Sequence, residues 1–334
     1  MNRRHFLRQA GVALLAGSMG FSRRATARST SSGVDIVHLK VSGSPLRLLQ
    51  FTDAHFFIRF QEDMTQAKDS NIPTVDLLKQ LVDRADPHLI MVTGDFWHDN
   101  PDGNGLNFLA YGLDVMARLE RPWLFTWGNH DQVDDLNRAH RMLSEAPHSL
   151  YAGATSAGNY LVRIGPENQP MLDLFCLNSG KEGLKQPARD WMDHVVQRLS
   201  AENVAETTRV AVFHIPLRQY REAWEHPEAK GFKGENVSYY QEDGQNLACF
   251  ARHGIRATIC GHNHTNDYEG ITGNTRLVYG RATGLNGYGG EVLPKGAKLY
   301  TYTPETRDFS WQTLLPDGST WQPAPGDKTT KSEG

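Results

Sequence analysis

Five short extended runs in this chain each end in a residue that can bind a metal. Residues 46–52 lead into Asp53-Ala54-His55, and residues 88–93 into Gly94-Asp95. Residues 123–127 lead into Gly128-Asn129-His130-Asp131, residues 209–213 into His214, and residues 257–260 into Gly261-His262-Asn263-His264. In an extended chain, residues i and i+2 point the same way. Asp53 with His55, and His262 with His264, can therefore each aim two donors at one place. Glycine before Asp95, Asn129 and His262 lets the backbone turn sharply and come close to a site. Taken alone, each pattern is weak: Asp95 and Asn129 read equally well as turn residues, and His214 as a buried, hydrogen-bonded histidine. The ordered set of five is specific. Its mix of imidazole, carboxylate and amide suits transition metals such as Fe, Mn or Zn better than Ca or Mg. Two divalent ions would leave surplus positive charge over Asp53 and Asp95. Two metals about 3.5–4 Å apart can clamp an in-line displacement at phosphorus and lower the pKa of water, so no protein nucleophile is needed.

The elements that must position these donors alternate. Apolar β-runs at 46–52, 88–93, 123–127, 171–178, 209–213 and 257–260 are interleaved with helical patterns at 73–85, 105–119, 133–143, 187–199 and 240–252. Such alternation predicts an α/β fold. Donors in α/β sheets gather outside the carboxyl ends of strands, which is where all five segments place them. Beyond residue 277 the chain turns glycine-rich at 280–290, and 298–303 reads as a closing hairpin strand.

The order Asp-x-His, Gly-Asp, Gly-Asn-His-Asp, His, Gly-His-x-His resembles the calcineurin-like metallophosphoesterase superfamily over residues 46–303. The stretches Phe213-His214-Ile215-Pro216-Leu217 and Gly261 to Tyr268, with Tyr279 to Gly284 and Gly287-Tyr288-Gly289-Gly290, look like its purple acid phosphatase-like subgroup. The resemblance implies a four-layer α-β-β-α sandwich of two mixed sheets. It implies two divalent or mixed-valence metals, one held by Asp53, His55 and His264, the other by Asn129, His214 and His262, with Asp95 between them. It implies that a metal-bridging hydroxide hydrolyses phosphate esters, with His130 as proton donor to the departing oxygen. A phosphomonoester is the leading substrate. The rivals are a phosphodiester (a cyclic nucleotide or lipid headgroup) and a protein that binds metal or phosphate without turnover. Purple members carry a tyrosine three residues after the bridging aspartate. Here that residue is His98, so no iron–tyrosinate colour is expected.

The expected substrate contacts are His98 beside the bridging aspartate, Arg218 after His214, and Arg281 and Tyr288 in the glycine-rich stretch. Trp97 is the tryptophan best placed to line a pocket. A net charge of -3 with 22% charged residues gives no sign of a nucleic-acid partner. Three widely spaced cysteines argue against a disulfide framework. Asn2-Arg3-Arg4-His5-Phe6-Leu7, the short apolar run 10–21 and Ala25-Thr26-Ala27 together resemble a twin-arginine signal over 1–27. That predicts export by the twin-arginine machinery to the periplasm or beyond, with no stable membrane span in the mature chain. Residues 28–45 read as linker and first strand, 46–315 as the catalytic domain, and 316–334, rich in Pro, Gly, Ser, Thr and Lys, as a flexible tail.

Overall fold

The computed structural model describes residues 35–61, 64–166, 169–201 and 207–331; the signal expected at 1–27 lies outside the described residues. The first strands are β1 (Ile36–Lys40), β2 (Leu46–Phe51), β3 (Leu89–Thr93), β4 (Trp123–Thr126), β5 (Tyr160–Gly165) and β6 (Leu172–Cys176). Then come β7 (Thr208–Val212), β8 (Lys230–Lys233), β9 (Ile255–Cys260), β10 (Asn266–Thr272) and β11 (Thr275–Tyr279). The last are β12 (Ala297–Thr303), β13 (Asp308–Leu314), β14 (Thr320–Trp321) and β15 (Lys328–Thr330). Among the described residues, seven α-helices intervene: α1 (Met64–Asp69), α2 (Ile72–Ala85), α3 (Gly105–Arg118), α4 (Leu136–Glu145), α5 (Gln186–Ala201), α6 (Tyr220–Ala223) and α7 (Asn246–Arg252).

Two mixed sheets result. One runs β1-β5-β6-β7-β9-β11-β10-β8-β15, the other β14-β13-β12-β2-β3-β4. Each sheet mixes parallel pairs (β6 with β7, β7 with β9, β2 with β3, β3 with β4) and antiparallel ones (β5 with β6, β12 with β2). Alternating side chains show how the sheets stack. Val162, Leu174, Val210 and Ile259 of the larger sheet share a core with Leu46, Leu48, Tyr300 and Trp311 of the smaller. Their neighbours Leu161, Phe175, Ala211 and Ile255 face the other way, onto Met192, Val195 and Leu199 of α5 and Phe250 of α7. On the far side, Leu77, Leu78 and Leu81 of α2 and Phe108 and Leu109 of α3 cover the smaller sheet. The order is helix, sheet, sheet, helix, as the resemblance implies.

Local signals set several boundaries. Pro73 opens α2, where its missing N–H costs nothing. Asp135 caps α4 by accepting from the Arg138 N–H, so this helix starts later than the pattern at 133 suggests. The helical pattern at 240–252 shortens to α7. The stretch read as a tail is exposed, but it carries two strands: β14 pairs with β13 and β15 with β8. Polar composition at an edge strand is what keeps such an edge soluble, which is why it read as solvated.

Candidate metal centre

All five donor segments reach one edge of the sandwich. β2 delivers Asp53 and His55, β3 Asp95, β4 Asn129, β7 His214, and β9 His262 and His264. Asp53, His55, Asp95 and His262 have positive φ, at 55°, 47°, 49° and 81°. Each strand thus breaks sharply at the residue that matters.

The polar atoms fall into two groups, Asp53-His55-His264 and Asp95-His214-His262; within each, they lie within 4.8 Å of one another. In the first, His264 Nε2 is 3.2 Å from Asp53 Oδ1 and 3.1 Å from His55 Nε2. In the second, His214 Nε2 is 3.0 Å from Asp95 Oδ2 and 3.2 Å from Asn129 Oδ1, and the His214 and His262 rings sit 5.1 Å apart. Asp95 Oδ2 is also 3.6 Å from His55 Nε2, so this carboxylate stands between the groups.

The donor set fits metal ions. Asp53 Oδ1 is buried and accepts no hydrogen bond. The Nε2 atoms of His55 and His264 face each other at 3.1 Å, close enough to bind one ion between them. Burial holds the His55 imidazole well below its usual pKa and, with the neighbouring His214, brings His262 down to about 4. Both rings are neutral at pH 7, the form that coordinates. Burial disfavours the His214 imidazolium too, but Asp95 against it outweighs burial and pushes the group up to about 9. Burial also opposes the Asp53 and Asp95 charges. The histidines around them, His264 beside Asp53 and His214 beside Asp95, nonetheless hold both carboxyls far below the carboxylate range.

An outer ring of bonds aims these side chains. His214 Nδ1 donates to Thr93 O at 2.8 Å, which turns Nε2 inward. Thr52 Oγ1 and the His262 N–H both donate to Asp53 Oδ2, at 2.7 and 3.1 Å. Asp131 accepts from the N–H groups of Asp95 (2.9 Å), Phe96 (2.8 Å) and Gly128 (2.7 Å), tying the β3 loop to the β4 loop. Burial, helped by the Asp95 charge, raises its carboxyl to about 7.

His130 sits at the mouth, with its ring centroid 5.0 Å from that of His55. Its Nδ1 pairs with Asp99 Oδ1 at 2.9 Å rather than with Asp131, and its N–H donates to Asp95 Oδ1 at 2.8 Å. His98 stacks on it at 4.5 Å and places its own Nδ1 3.1 Å from His55 Nδ1. Tyr288 is exposed and stacks on His264 at 4.0 Å. Its carbonyl lies 3.2 Å from His264 Nδ1 and its hydroxyl donates to Glu235 at 3.0 Å.

The other two expected contacts are placed differently. Arg218 is exposed, with its guanidinium 5.8 Å over the Tyr239 ring. Arg281 is only 2% exposed, and its guanidinium donates to Asp267 Oδ2 (2.6 Å) and Pro294 O (2.6 Å). An arginine so committed belongs to the packing between the sheets, and the expectation that it meets substrate is corrected. Trp97 is likewise fully buried. Sequence reasoning missed Asp131, Gln132 and Glu235 as supports of the centre. The first two adjoin the Gly-Asn-His block and were findable from it; Glu235 carries no local signal.

Residues 46–266 match the family model described as calcineurin-like phosphoesterase. The chain belongs to that family. Phosphatase DCR2 of Saccharomyces cerevisiae is 25% identical over 256 residues, covering 66% of this chain and 44% of the yeast protein. This family member therefore spans less than half of that relative's length. Probable inactive purple acid phosphatase 28 of Arabidopsis thaliana is 25% identical over 287 residues, 73% of this chain and 71% of the plant protein. Its name accords with the subgroup resemblance in the motifs. A dimetal phosphatase from Danio rerio superposes with a TM-score of 0.47 at 14% identity, over 82% of this chain and 94% of that one.

Proposed function

We propose that this chain hydrolyses phosphate monoesters with two transition-metal ions, drawn from Fe, Mn or Zn. The observation that supports it most is Asp95, whose Oδ2 lies within 3.6 Å of a donor in each group, beside a buried Asp53 oxygen with no hydrogen-bond donor. Asp53, His55 and His264 would hold one ion and Asn129, His214 and His262 the other, sharing Asp95. When bound, the ions supply positive charge to the phosphoryl oxygens and lower the pKa of water.

The chain's own residues supply the rest. Asp99 accepts a hydrogen bond from His130 Nδ1 and fixes the ring, so that the doubly protonated ring would hand its Nε2 proton to the departing alkoxide. His98, stacked on the same ring, restrains its tilt. Tyr288, stacked on His264 and anchored to Glu235, walls the mouth. Two plant relatives are named probable inactive purple acid phosphatases. In this chain the full donor set and a histidine bonded to a carboxylate support turnover. The reading extends to twin-arginine export to the periplasm or cell exterior, which rests on residues 2–27; a reporter fusion whose export ignores Arg3→Lys with Arg4→Lys would refute it.

The test uses purified protein loaded in turn with Fe, Mn and Zn. Turnover of 4-nitrophenyl phosphate should exceed that of bis(4-nitrophenyl) phosphate, and Asp95→Asn should lose both metal and turnover. Preference for the bis-ester would make the enzyme a diesterase. Tight phosphate binding without turnover under any metal would make it a binding protein.

A further inference from the structure

Beside the metal centre, the loop between β6 and α5 opens a cleft of about 410 Å³. Its floor is tied to the strands that carry the centre. Ser179 Oγ accepts from the Ile215 N–H at 3.0 Å, next to His214, and reaches Trp127 O at 3.4 Å, two residues before Asn129. Ala157, Pro187 and Ala188 give it apolar walls. Two lysines line it, in different electrostatic states. The Lys185 ammonium lies 3.4 Å from the Glu182 carboxylate and donates to Gln241 O at 2.9 Å. Lys181 is exposed and donates only to a neutral acceptor, Gln132 Oε1, at 2.8 Å. Among the described residues no carboxylate lies within ion-pair distance of it. An ammonium has three donors, so Lys181 keeps two for another partner and its full charge.

Gln132 ties this lysine to the centre. Its amide nitrogen donates to Asp99 Oδ1 at 2.8 Å, the oxygen that holds His130, and to Asn129 O at 3.2 Å. Lys181 therefore stands two hydrogen bonds from a candidate ligand and three from the candidate proton donor, whose ring the last bond reaches at Nδ1.

We propose that the cleft receives the alcohol portion of the substrate, and that Lys181 selects esters whose alcohol carries an anionic group, a carboxylate or a second phosphate. This rests on reading the centre as a phosphoesterase. Apolar walls accept the carbon frame, and the unpaired ammonium accepts the anion at its far end.

The test compares kcat/KM for phenyl phosphate, 4-carboxyphenyl phosphate and 1,4-phenylene bisphosphate in metal-loaded wild type, Lys181→Met and Lys181→Arg. Wild type should prefer one or both of the charged esters. A charge-assisted hydrogen bond sets the scale, so Lys181→Met should cut that preference about tenfold while Lys181→Arg keeps it. The two charged esters distinguish carboxylate from phosphate. Equal loss on all three esters, or no preference in wild type, would overturn the proposal. Calorimetry with phenylphosphonate and 4-carboxyphenylphosphonate reads the cleft without turnover. A Kd ratio that ignores Lys181→Met would also overturn the proposal. A Lys181-dependent ratio in a protein that turns over no ester would sink the phosphoesterase reading and leave the cleft standing.

Discussion

Gly94 precedes Asp95, the carboxylate between the two donor groups, and has φ +83°. A Cβ built there would lie 2.6 Å from the Cβ, Cγ and Nδ1 of His214, where real Cβ contacts stay above 3.0 Å. Gly94→Ala must therefore push the His214 ring at least about 0.4 Å, and about 0.8 Å to reach ordinary contact. That ring cannot simply turn away, because Nδ1 is bonded to Thr93 O. Misplacement approaching 1 Å at a catalytic centre costs on the order of 10²-fold in rate. The left-handed backbone adds roughly 1–2 kcal/mol of destabilisation for any residue with a Cβ. Gly273, in the β10–β11 turn, provides the control: its φ is +59° and a Cβ there meets nothing within 4 Å. Gly273→Ala should lose the same 1–2 kcal/mol by denaturant unfolding and keep wild-type turnover and metal content. Gly94→Ala should lose about 10²-fold in kcat as well, with a fall in bound metal measured by elemental analysis. If both variants lose stability alike and both keep full turnover and metal, Gly94 does not position His214 and the close-approach argument fails.

Asp99→Asn should lower kcat about tenfold to a hundredfold, and in a double-mutant cycle with His130→Ala the two losses should fall well short of additive, since both act on one proton; full additivity would separate them. Lys298, buried in β12, lies 2.5 Å from the buried Asp267 carboxylate of β10, and so joins the two sheets. Lys298→Met should cost about 3–5 kcal/mol in urea unfolding, because it strips one partner from a buried charge; a loss below about 1 kcal/mol would show that Arg281 suffices. Burial lowers the Lys295 ammonium from 10.5 to about 8. Between those values the unfolded chain binds the proton and the folded one does not, so this group makes stability rise with pH from about 8 to 10.5. Lys295→Met should remove that rise from the stability–pH curve, and an unchanged slope would count against the burial argument.

The donors were legible because each closes a short extended run, and strand ends in α/β sheets converge. Their division into two groups came from the resemblance and not from spacing. What stayed hidden was set by pairing across long stretches of chain. Nothing local tells β12 to lie against β2, or β1 to pair with β5. Arg281 in a glycine-rich stretch has every mark of a solvated rim residue. It is buried because folding brings it to Asp267, a strand residue 14 positions earlier. The exposed strands β14 and β15 read as a tail because edge strands share the composition of loops. Asp99 adjoins the expected contact His98 in sequence, but its bond to His130 depends on how the β3 and β4 loops meet.

The backbone at the centre explains why the donor motifs are so spare. Four of the seven candidate ligands sit at positive φ without being glycine, a conformation that costs on the order of 1–3 kcal/mol each. Such strain persists only where the surroundings over-determine it. Here they do: Asp131 bolts the Asp95 loop through the N–H groups of Asp95, Phe96 and Trp97, and Asp53 Oδ2 holds the His262 N–H. Glycine at those four positions would relieve the strain but remove the donors. The chain instead places glycine one residue earlier, at Gly94 and Gly261, where Cβ atoms would collide with His214 and with Thr52. The Gly-Asp and Gly-His pairs thus combine two demands on adjacent residues, close approach at the first and a strained donor at the second. A substitution that stabilises the second residue's backbone is therefore expected to do so at the expense of the centre.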